Sequence, residues 1–229
     1  MEILRTNNLC KLYDSKLSSG EIISNVNLNI EEGEFIAIKG ESGSGKTTLL
    51  NLLAGFLKPT KGEVFISNQC LNEMNESQKA IFRRENIGFI FQNYDLLQEL
   101  TALENVMLPL LINGIKNKDA MIEAKKFISY IGLEKYISYI PKELSGGQQQ
   151  RIAIARAIVN RPKIIFADEP TGNLDSKSKK IILEIFQNIN RELGTTILMV
   201  THANQDMEYA SKVITIKDGK IEWMKYYFI

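Results

Sequence analysis

The sequence is poor in the residues that mark disulfide-rich and metal-binding proteins. It contains two cysteines, one histidine and one tryptophan in 229 residues. Cys10 and Cys70 are far apart, and neither has a nearby cysteine or histidine that would complete a metal site. We therefore predict free thiols in a reducing compartment, which excludes a secreted domain held together by disulfides.

Long apolar runs and a strong charge of one sign are also absent. No run approaches the roughly 20 apolar residues that span a bilayer, and the first residues, Met-Glu-Ile-Leu-Arg, lack the profile of a signal peptide. The 28 basic and 27 acidic side chains give a formal net charge of +1, which provides no electrostatic argument for a nucleic-acid partner. The sequence thus predicts a soluble, cytoplasmic protein without a nucleic-acid partner, and it leaves docking onto a membrane protein open.

A glycine-rich stretch over residues 40–48, Gly-Glu-Ser-Gly-Ser-Gly-Lys-Thr-Thr, matches the phosphate-loop pattern and lies between an apolar run at 35–38 and a helical run at 49–57. Its glycines can adopt positive φ, so that successive N–H groups converge on a phosphate at a helix N-terminus. The lysine would reach the β- and γ-phosphates, and the threonine after it would ligate Mg²⁺. A plain glycine-rich turn is the weaker interpretation, because the pattern arises by chance in roughly 1% of chains this long. The predicted ATP-binding residues are Gly40, Glu41, Ser42, Gly43, Ser44, Gly45, Lys46, Thr47 and Thr48.

The apolar pattern predicts an α/β fold with an antiparallel portion. From residue 93 to about 160 apolar residues recur at helical spacing, Ile122 among them, which predicts an inserted helical subdomain in which Pro109 bends the first helix. A short basic helix is predicted near 78–84, and a helix with one apolar face is predicted after Asp175. We predict one domain over residues 1–229, with an α/β catalytic core at about 1–92 and 161–229 and the helical subdomain at about 93–160. The predicted strands are residues 2–13, 21–30, 63–66, 87–91, 163–167, 195–201 and a hairpin of 213–216 with 220–223, and the polar residues 14–20 are a predicted loop.

A second short stretch has the chemistry of an anion site. Residues 144–148 precede a predicted helix, where small residues expose N–H groups and a serine hydroxyl offers a further donor. The stretch has no lysine. Because one nucleotide already has its loop at residues 40–48, we expect this stretch to complete a nucleotide held by another copy, and a plain flexible turn is the alternative. The residues are Leu144, Ser145, Gly146, Gly147 and Gln148.

With these motifs in order, the chain resembles the ATP-binding subunits of ABC transporters over essentially its whole length. It matches at the phosphate loop, at Gln92 (the Q-loop), at residues 144–148 (the signature sequence), at the Walker B strand 164–168, at Asp175 (the D-loop) and at His202 (the H-loop). Residues 169–176 and 91–97 are similar to the branch that contains lipoprotein-release, macrolide-export, cell-division and antimicrobial-peptide-resistance ATPases. One difference is Ala203, where many relatives carry aspartate. The implied fold is the ABC ATPase fold, a P-loop NTPase core with an antiparallel β portion and an inserted helical subdomain.

Two carboxylates, Asp168 and Glu169, lie at the end of the Walker B strand, where a pair of solvated acids is the weaker interpretation. At the end of a buried strand, Asp168 can hold Mg²⁺ opposite Thr47. Glu169 would point at the γ-phosphate as general base or as the residue that orients water. The resemblance implies that His202 contacts the γ-phosphate and positions Glu169, and that Gln92 contacts Mg²⁺ and water. Taken alone, such a histidine is more often structural and Gln92 would be a surface residue.

Two other residues have implied roles in binding. Tyr13, at the end of the first predicted strand, would stack on adenine, and a tyrosine at the rim of the core is the alternative. Asp175 would lie at the dimer interface, and it is also well placed to cap the helix that follows. The apolar residues of 94–100 and 103–111 would be partly core and partly a surface for a partner helix.

The resemblance implies an ATPase subunit that dimerises head to tail on binding ATP and Mg²⁺. It would drive an integral-membrane permease through the face near residues 92–103, on the cytoplasmic side of the membrane, and so export or extract a drug, antimicrobial peptide or lipoprotein. Regulation of a membrane partner in cell division or signalling stays open. A soluble ABC ATPase acting on nucleic acid or the ribosome is a further alternative, and a small-molecule P-loop kinase would leave residues 144–148 unexplained.

Overall fold

Two β-sheets with a helix between them form the centre of the protein. The computed structural model describes residues 1–15 and 18–226. Within these residues the strands are β1 (Glu2–Ser15), β2 (Ser18–Val26), β3 (Asn29–Glu31), β4 (Phe35–Lys39), β5 (Lys61–Ile66), β6 (Gln69–Cys70), β7 (Ile87–Ile90), β8 (Ile164–Asp168), β9 (Thr196–Val200), β10 (Lys212–Lys217) and β11 (Lys220–Tyr226). The helices are α1 (Lys46–Leu53), α2 (Glu76–Asn86), α3 (Ala102–Ile112), α4 (Asn117–Tyr130), α5 (Gly146–Ile158), α6 (Ser176–Leu193) and α7 (Asn204–Met207).

The larger sheet has six strands in the order β11-β10-β4-β9-β8-β7. The strands from β10 to β7 pair in parallel, and β11 pairs antiparallel with β10. Both faces of this sheet are buried. Phe35 and Ile36 are neighbours in β4 and so point to opposite faces, and each is part of a different buried hydrophobic cluster. Continuous apolar runs are therefore required in the central strands. The carboxyl ends of β4, β8 and β9 meet at one edge, which is where a ligand site forms in sheets of this kind.

The smaller sheet covers the helix that follows the phosphate loop. It has the order β2-β1-β5-β6, with β3 paired to β1, and its pairs are antiparallel. The leucines of α1 at positions 49, 50, 52 and 53 are at most 1% exposed, and they pack with residues of both sheets in one cluster. The phosphate loop is thus anchored by a helix that is enclosed on two sides.

The helices of the inserted segment pack on the opposite face of the large sheet. Residues of α3, α4 and α5 share one hydrophobic cluster with α6 and with β4, β8 and β9. Pro109 lies inside α3, which continues to its end at Ile112. The prediction that Ile122 faces this core is wrong, because its side chain is 49% exposed on α4. Leu111 belongs to the apolar residues 103–111 that we predicted to be partly exposed for a partner helix, and it is 39% exposed.

The N-terminal strand predictions need two corrections. The predicted loop over 14–20 is mostly strand, since the ladder of β1 with β2 continues to the pair Ser15 and Ser18, and residues 16 and 17 lie outside the described residues. The single predicted strand 21–30 is two strands. Asn25 has φ of 49°, β2 ends at the next residue, Val26, and the chain then pairs again with β1 as β3.

The predicted helix 49–57 also has different limits. Its first residue is Lys46, because the left-handed Gly45 ends the loop, and its last is Leu53, shortly before the left-handed Gly55. The short helix predicted near 78–84 is longer, since a capping box between Asn75 and Gln78 starts it earlier. The strands predicted at 163–167 and 195–201, the helix after Asp175 and the final hairpin are confirmed, whereas α7 was not predicted. Among the described helices, none has the length and apolar content that crossing a bilayer requires.

Candidate active site

The phosphate loop presents open N–H groups at the start of α1. Gly43 and Gly45 have φ of 81° and 96°, and no side chain of the described residues caps the helix. A Cβ atom on Gly45 would lie 2.7 Å from the carbonyl oxygen of Ile22 in β2. The loop is therefore a cradle of main-chain donors that only glycine can form at this position.

Two polar side chains of the loop are directed inward. The Lys46 ammonium group, in a residue only 7% exposed, donates to the carbonyl oxygens of Gly40 at 2.9 Å and Glu41 at 2.7 Å. The buried hydroxyl oxygen of Ser44 has no hydrogen-bond partner among the described residues. A buried lysine and an unpaired hydroxyl beside open N–H groups fit a phosphate chain, which would supply the missing acceptors.

Two cavities lie against this loop. One, of about 740 Å³, is lined by Gly40, Glu41 and His202 among others, and the other, of about 320 Å³, is lined by Gly43, Thr47 and Thr48 among others. Ser42, Lys46 and Glu169 line both. The space around the loop is therefore large enough for a nucleoside triphosphate, and it reaches Glu169, the predicted catalytic carboxylate.

The structure brings Thr47 and Asp168 together. The Thr47 hydroxyl donates to the Asp168 carboxylate at 3.1 Å. The pKa of Asp168 is raised, mainly because the carboxyl is buried. The hydrogen bond from Thr47 opposes this rise, the negative charge of Glu169 adds to it, and the positive charge of Lys46 opposes it. A hydroxyl and a carboxylate whose charge is poorly solvated are hard oxygen donors, and they fit Mg²⁺.

Glu169 is at the junction of three elements. Its carboxylate Oε2 is 3.2 Å from Nδ1 of His202 and 3.5 Å from Nε2 of Gln92. Its φ is 44°, a left-handed conformation that is uncommon for a residue other than glycine. The main-chain N–H of Glu169 donates to Val200 at 3.0 Å, which ties β8 to β9 at the strand ends. Glu169, directly after the Walker B strand, thus contacts both the Q-loop glutamine and the H-loop histidine within one chain.

The signature residues are in a different place. Ser145 caps α5, with its hydroxyl oxygen accepting from the N–H of Gln148 at 3.4 Å. The hydroxyl can still donate its proton, so the predicted role as an extra donor stays a prediction. Gly146 packs under the hydroxyl of Tyr94, and a Cβ on Gly147 would lie 2.6 Å from the Ser178 hydroxyl. None of residues 144–148, all of them described, lines either cavity at the phosphate loop.

Comparisons with known proteins agree with this geometry. The pattern that defines the family described as "ABC transporter" matches residues 23–172. The chain belongs to the ABC transporter family. An uncharacterized ABC transporter ATP-binding protein of Methanocaldococcus jannaschii, MJ1508, is 49% identical over 219 residues, which cover 96% of this chain and 97% of that protein. The bacitracin export ATP-binding protein BceA of Halalkalibacterium halodurans is 45% identical over 221 residues, which cover 96% of this chain and 87% of that protein.

A solved structure extends the comparison to the fold. The dimeric, post-hydrolysis structure of the ATP-binding cassette MJ0796 bound to ADP and Pi superposes with a TM-score of 0.91, at 40% identity and 98% coverage of both chains. The predicted ABC ATPase fold and the predicted branch are confirmed. This ABC ATPase is the nucleotide-binding and ATP-hydrolysing component of a transporter.

The remaining predicted residues of the ABC ATPase have defined surroundings. Tyr13 in β1 is 44% exposed, with the Lys11 ammonium group 5.5 Å from its ring centroid. Asp175 caps α6, where its carboxylate accepts from the N–H groups of Lys177 and Ser178, each at 3.0 Å.

Three residues that support the site were not predicted from the sequence. Gly219, in the turn of the last hairpin, donates from its N–H to the carbonyl of Ser44 at 3.2 Å and accepts from the N–H of Ser24 at 2.9 Å. Asp206 and Arg156 are the other two, and each bonds to segments distant in sequence. The Asp218-Gly219 pair indicated a turn, but no signal in the sequence shows what a turn or a buried polar side chain contacts.

Proposed function

We propose that two copies of this ABC ATPase close head to tail around two ATP molecules and hydrolyse them to drive export through an integral-membrane permease. The observation that supports the proposal is the separation of the two stretches predicted to bind anions. The phosphate loop has cavities, a buried lysine and an unpaired hydroxyl, whereas Ser145 and Gly146 start a helix that lines neither cavity. A site on α5 that does not face its own phosphate loop is suited to a nucleotide bound by a second copy.

The proposed nucleotide contacts follow from the geometry of one chain. Main-chain N–H groups of residues 40–48 and the Lys46 ammonium group would bind the phosphates, and Tyr13 would stack on the adenine. When phosphates enter, Lys46 would exchange the carbonyls of Gly40 and Glu41 for phosphate oxygens. Thr47, Asp168 and Gln92 would hold Mg²⁺, which neutralises charge on the phosphates when bound.

The proposed catalytic residues act on water. Glu169 would accept a proton from the attacking water or orient it, and His202 at 3.2 Å would fix the direction of the Glu169 carboxylate and contact the γ-phosphate. Gln92, at 3.5 Å from the same carboxylate, would sense the γ-phosphate and transmit its loss to the helical subdomain at about 93–160. Asp175 would lie at the dimer interface while capping α6.

The solved relative supports the dimer. MJ0796 is dimeric in its ADP- and Pi-bound structure, and it superposes on 98% of this chain. Closure of such a pair would place residues 144–148 of one copy over the phosphate loop of the other, and opening after phosphate release would reset the site. The energy of hydrolysis would then become a movement of the two copies relative to each other.

A groove beside the Q-loop is the proposed contact with the permease. It has a volume of about 540 Å³ and lies between α2, β7 and α3, with apolar walls that include Ile81, Phe89 and Ile112. Ile81 and Ile112 are 46% and 58% exposed. At its wall the Arg84 Nε atom is buried and has no hydrogen-bond partner among the described residues. We propose that the occupant is an amphipathic helix from a cytoplasmic loop of the permease, with an acidic or carbonyl group facing Arg84.

The proposed location follows from this partner, and the proposed cargo follows from a relative. The ATPase would be held on the cytoplasmic face of the membrane by its permease. The Halalkalibacterium halodurans relative is named for bacitracin export, and we propose a peptide of that chemical class as the cargo here.

Purification of the native complex tests this function. An affinity-tagged ATPase isolated in mild detergent should bring down an integral-membrane protein, and the complex should hydrolyse MgATP. Ile112→Glu, in the groove, should lose this partner, whereas Ile122→Glu, at a residue of similar exposure outside the groove, should keep it. Recovery of ribosomes or nucleic acid instead of a membrane protein would contradict the transport function, and loss of the partner in the Ile122 variant alone would contradict the groove.

A further inference from the structure

A carboxylate that the sequence motifs do not include is buried behind the catalytic residues. Asp206 is 1% exposed, and its Oδ2 atom accepts two hydrogen bonds, from the Thr171 hydroxyl at 2.6 Å and the Thr201 hydroxyl at 2.8 Å. Both threonines are themselves 2% exposed. A buried carboxylate is costly unless donors surround it, so these short, charge-assisted bonds hold the three side chains together firmly.

The two threonines belong to the two segments that carry the catalytic residues. Thr171 is two residues after Glu169, and Thr201 immediately precedes His202. Asp206 therefore joins the segment after β8 to the segment after β9, behind the 3.2 Å contact between Glu169 and His202. The Thr201 hydroxyl also accepts from the N–H of Ala203 at 3.1 Å, which fixes the turn that presents His202.

The backbone at Glu169 needs this support. A left-handed φ at a glutamate costs of the order of 1 kcal/mol or more and persists only where the surroundings impose it. The N–H of Glu169 is bound to Val200, and its carbonyl accepts from Gly172 at 3.0 Å. Between these two main-chain contacts, the Thr171 hydroxyl is the group through which Asp206 restrains the segment.

We propose that Asp206 is a positioning residue for ATP hydrolysis, which sets the distance between Glu169 and His202 through Thr171 and Thr201. The inference depends on the proposed roles of Glu169 and His202. The residue after the histidine is Ala203, which has no carboxylate, and Asp206 supplies one from the first turn of α7. Asp206 touches neither cavity at the phosphate loop, so its effect on the reaction is indirect.

Two substitutions at Asp206 separate positioning from folding. Asp206→Asn keeps an oxygen that can accept both hydroxyls, whereas Asp206→Val removes the acceptor at a similar volume. We expect kcat to fall by about 10-fold or more in the valine variant, since displacement of a catalytic group by an ångström can cost as much as 100-fold. The asparagine variant should keep kcat within about 3-fold of the parent, and both should keep the dissociation constant of a fluorescent ATP analogue within about 2-fold. Parental kcat in the valine variant would overturn the proposal, as would equal losses in both variants.

A double-mutant cycle tests whether Asp206 acts through His202. In a His202→Ala background, Asp206→Val should have little further effect on kcat, because the contact that it positions is already lost. Multiplication of the two effects would show a general structural role and overturn the inference. If His202→Ala alone leaves kcat unchanged, the proposed role of His202 is wrong, which is a distinct result.

If the valine variant does not fold, as judged by thermal melting, Thr171 carries the test. Thr171→Ser keeps the hydroxyl bonded to Asp206, and Thr171→Val removes it with almost no change in shape. Lower kcat in Thr171→Val than in Thr171→Ser at equal melting temperature supports the inference. Equal kcat in the two folded variants contradicts it.

Discussion

The guanidinium group of Arg156 donates to the main-chain carbonyl oxygen of Asp95 at 2.6 Å. A second bond reaches the carbonyl of Tyr94 at 3.0 Å. Tyr94 and Asp95 both have positive φ, 65° and 47°, and a left-handed residue other than glycine costs about 1–2 kcal/mol. Arg156 is in the last turn of α5, the helix that begins in the signature sequence, so this helix stabilises the strained segment just after Gln92.

Arg156→Lys should loosen this segment, because an ammonium group cannot make the two fixed bonds of a guanidinium group. We expect a lower melting temperature and faster amide hydrogen exchange at residues 93–96. Arg161→Lys, at a residue whose side chain is 74% exposed and paired with Glu123, is the matched control and should change neither. Unchanged exchange at 93–96 in the Arg156 variant would show that the left-handed pair does not need the guanidinium group.

Glu169→Gln should lower kcat by about 100-fold or more, since general-base catalysis typically contributes 10²–10⁴-fold. ATP binding should persist, and an ATP-bound dimer should accumulate, which size-exclusion chromatography with ATP detects. Glu208→Gln, at an exposed residue after α7, controls for the loss of a carboxylate and should behave as the parent protein does. Hydrolysis at the parental rate in the Glu169 variant would mean that this carboxylate is not the one that acts on water.

Ser145→Arg should block ATP-dependent dimerisation, because it places a long charged side chain where the second nucleotide would dock. Binding of nucleotide to the monomer should stay within about 2-fold of the parent. Ser145→Ala removes the cap of α5 without adding bulk, so any loss from uncapping, typically about 1 kcal/mol of stability, appears in that variant too. Normal dimerisation of the arginine variant with ATP, measured by light scattering, would argue against a shared site.

Gly45→Ala and Gly43→Ala should differ although both residues are left-handed. A Cβ on Gly45 would lie 2.7 Å from the Ile22 carbonyl oxygen, whereas nothing lies within 4 Å of one on Gly43. We expect about 1 kcal/mol of destabilisation from strain at Gly43 and a larger loss at Gly45, where β2 or the loop has to move. Gly33→Ala, also left-handed and open, measures the strain alone in a denaturant titration. Equal losses of unfolding free energy at all three positions would show that β2 moves away from the added methyl group without a loss of stability.

Asp175 should make the stability of α6 depend on pH. Hydrogen bonds from the Ser178 hydroxyl, and from the N–H groups of Ser178 and Lys177, lower the pKa of Asp175. Because the folded pKa is below the unfolded one, the stabilisation is present above the ordinary pKa of aspartate and is lost as the pH falls through the lowered value.

The melting temperatures of two Asp175 variants test this dependence. Asp175→Ala should melt below the parent at pH 7, and this difference should shrink toward pH 3. Asp175→Asn keeps an acceptor for the cap and should fall between the two at pH 7. A difference that stays constant with pH would assign the effect to the cap geometry without any contribution from the charge.

The sequence predicts those parts of the fold that depend on periodicity and on fixed motifs. Buried parallel strands such as β8 have continuous apolar runs, and the phosphate loop has its pattern, so both were located correctly. The break between β2 and β3 was missed because the alternation of apolar residues continues across it and does not reveal the left-handed Asn25 near the end of β2. Exposure of Ile122 was missed because helical spacing shows that a face exists but not how wide the buried stripe is.

Contacts between polar groups were the least predictable part of the site. The roles of Asp206 and Arg156 depend on which backbone or hydroxyl groups the fold brings beside them, 35 and 61 residues away along the chain. A buried aspartate and an exposed one look the same in a sequence. The motifs therefore named the groups predicted to meet the nucleotide, and the fold was needed to find the groups behind them.

The turn at Gly219, in the last hairpin, connects the small sheet to the phosphate loop. Its main chain is hydrogen-bonded to Ser44 of the phosphate loop on one side and to Ser24 of β2 on the other. Strand β2 is paired with β1, which carries Tyr13. A tilt of the small sheet would therefore move the phosphate loop with it, and in the proposed complex with ATP these main-chain bonds would couple binding of the base to binding of the phosphates. A peptide inserted into this distant turn would uncouple them while leaving every residue of the predicted site in place.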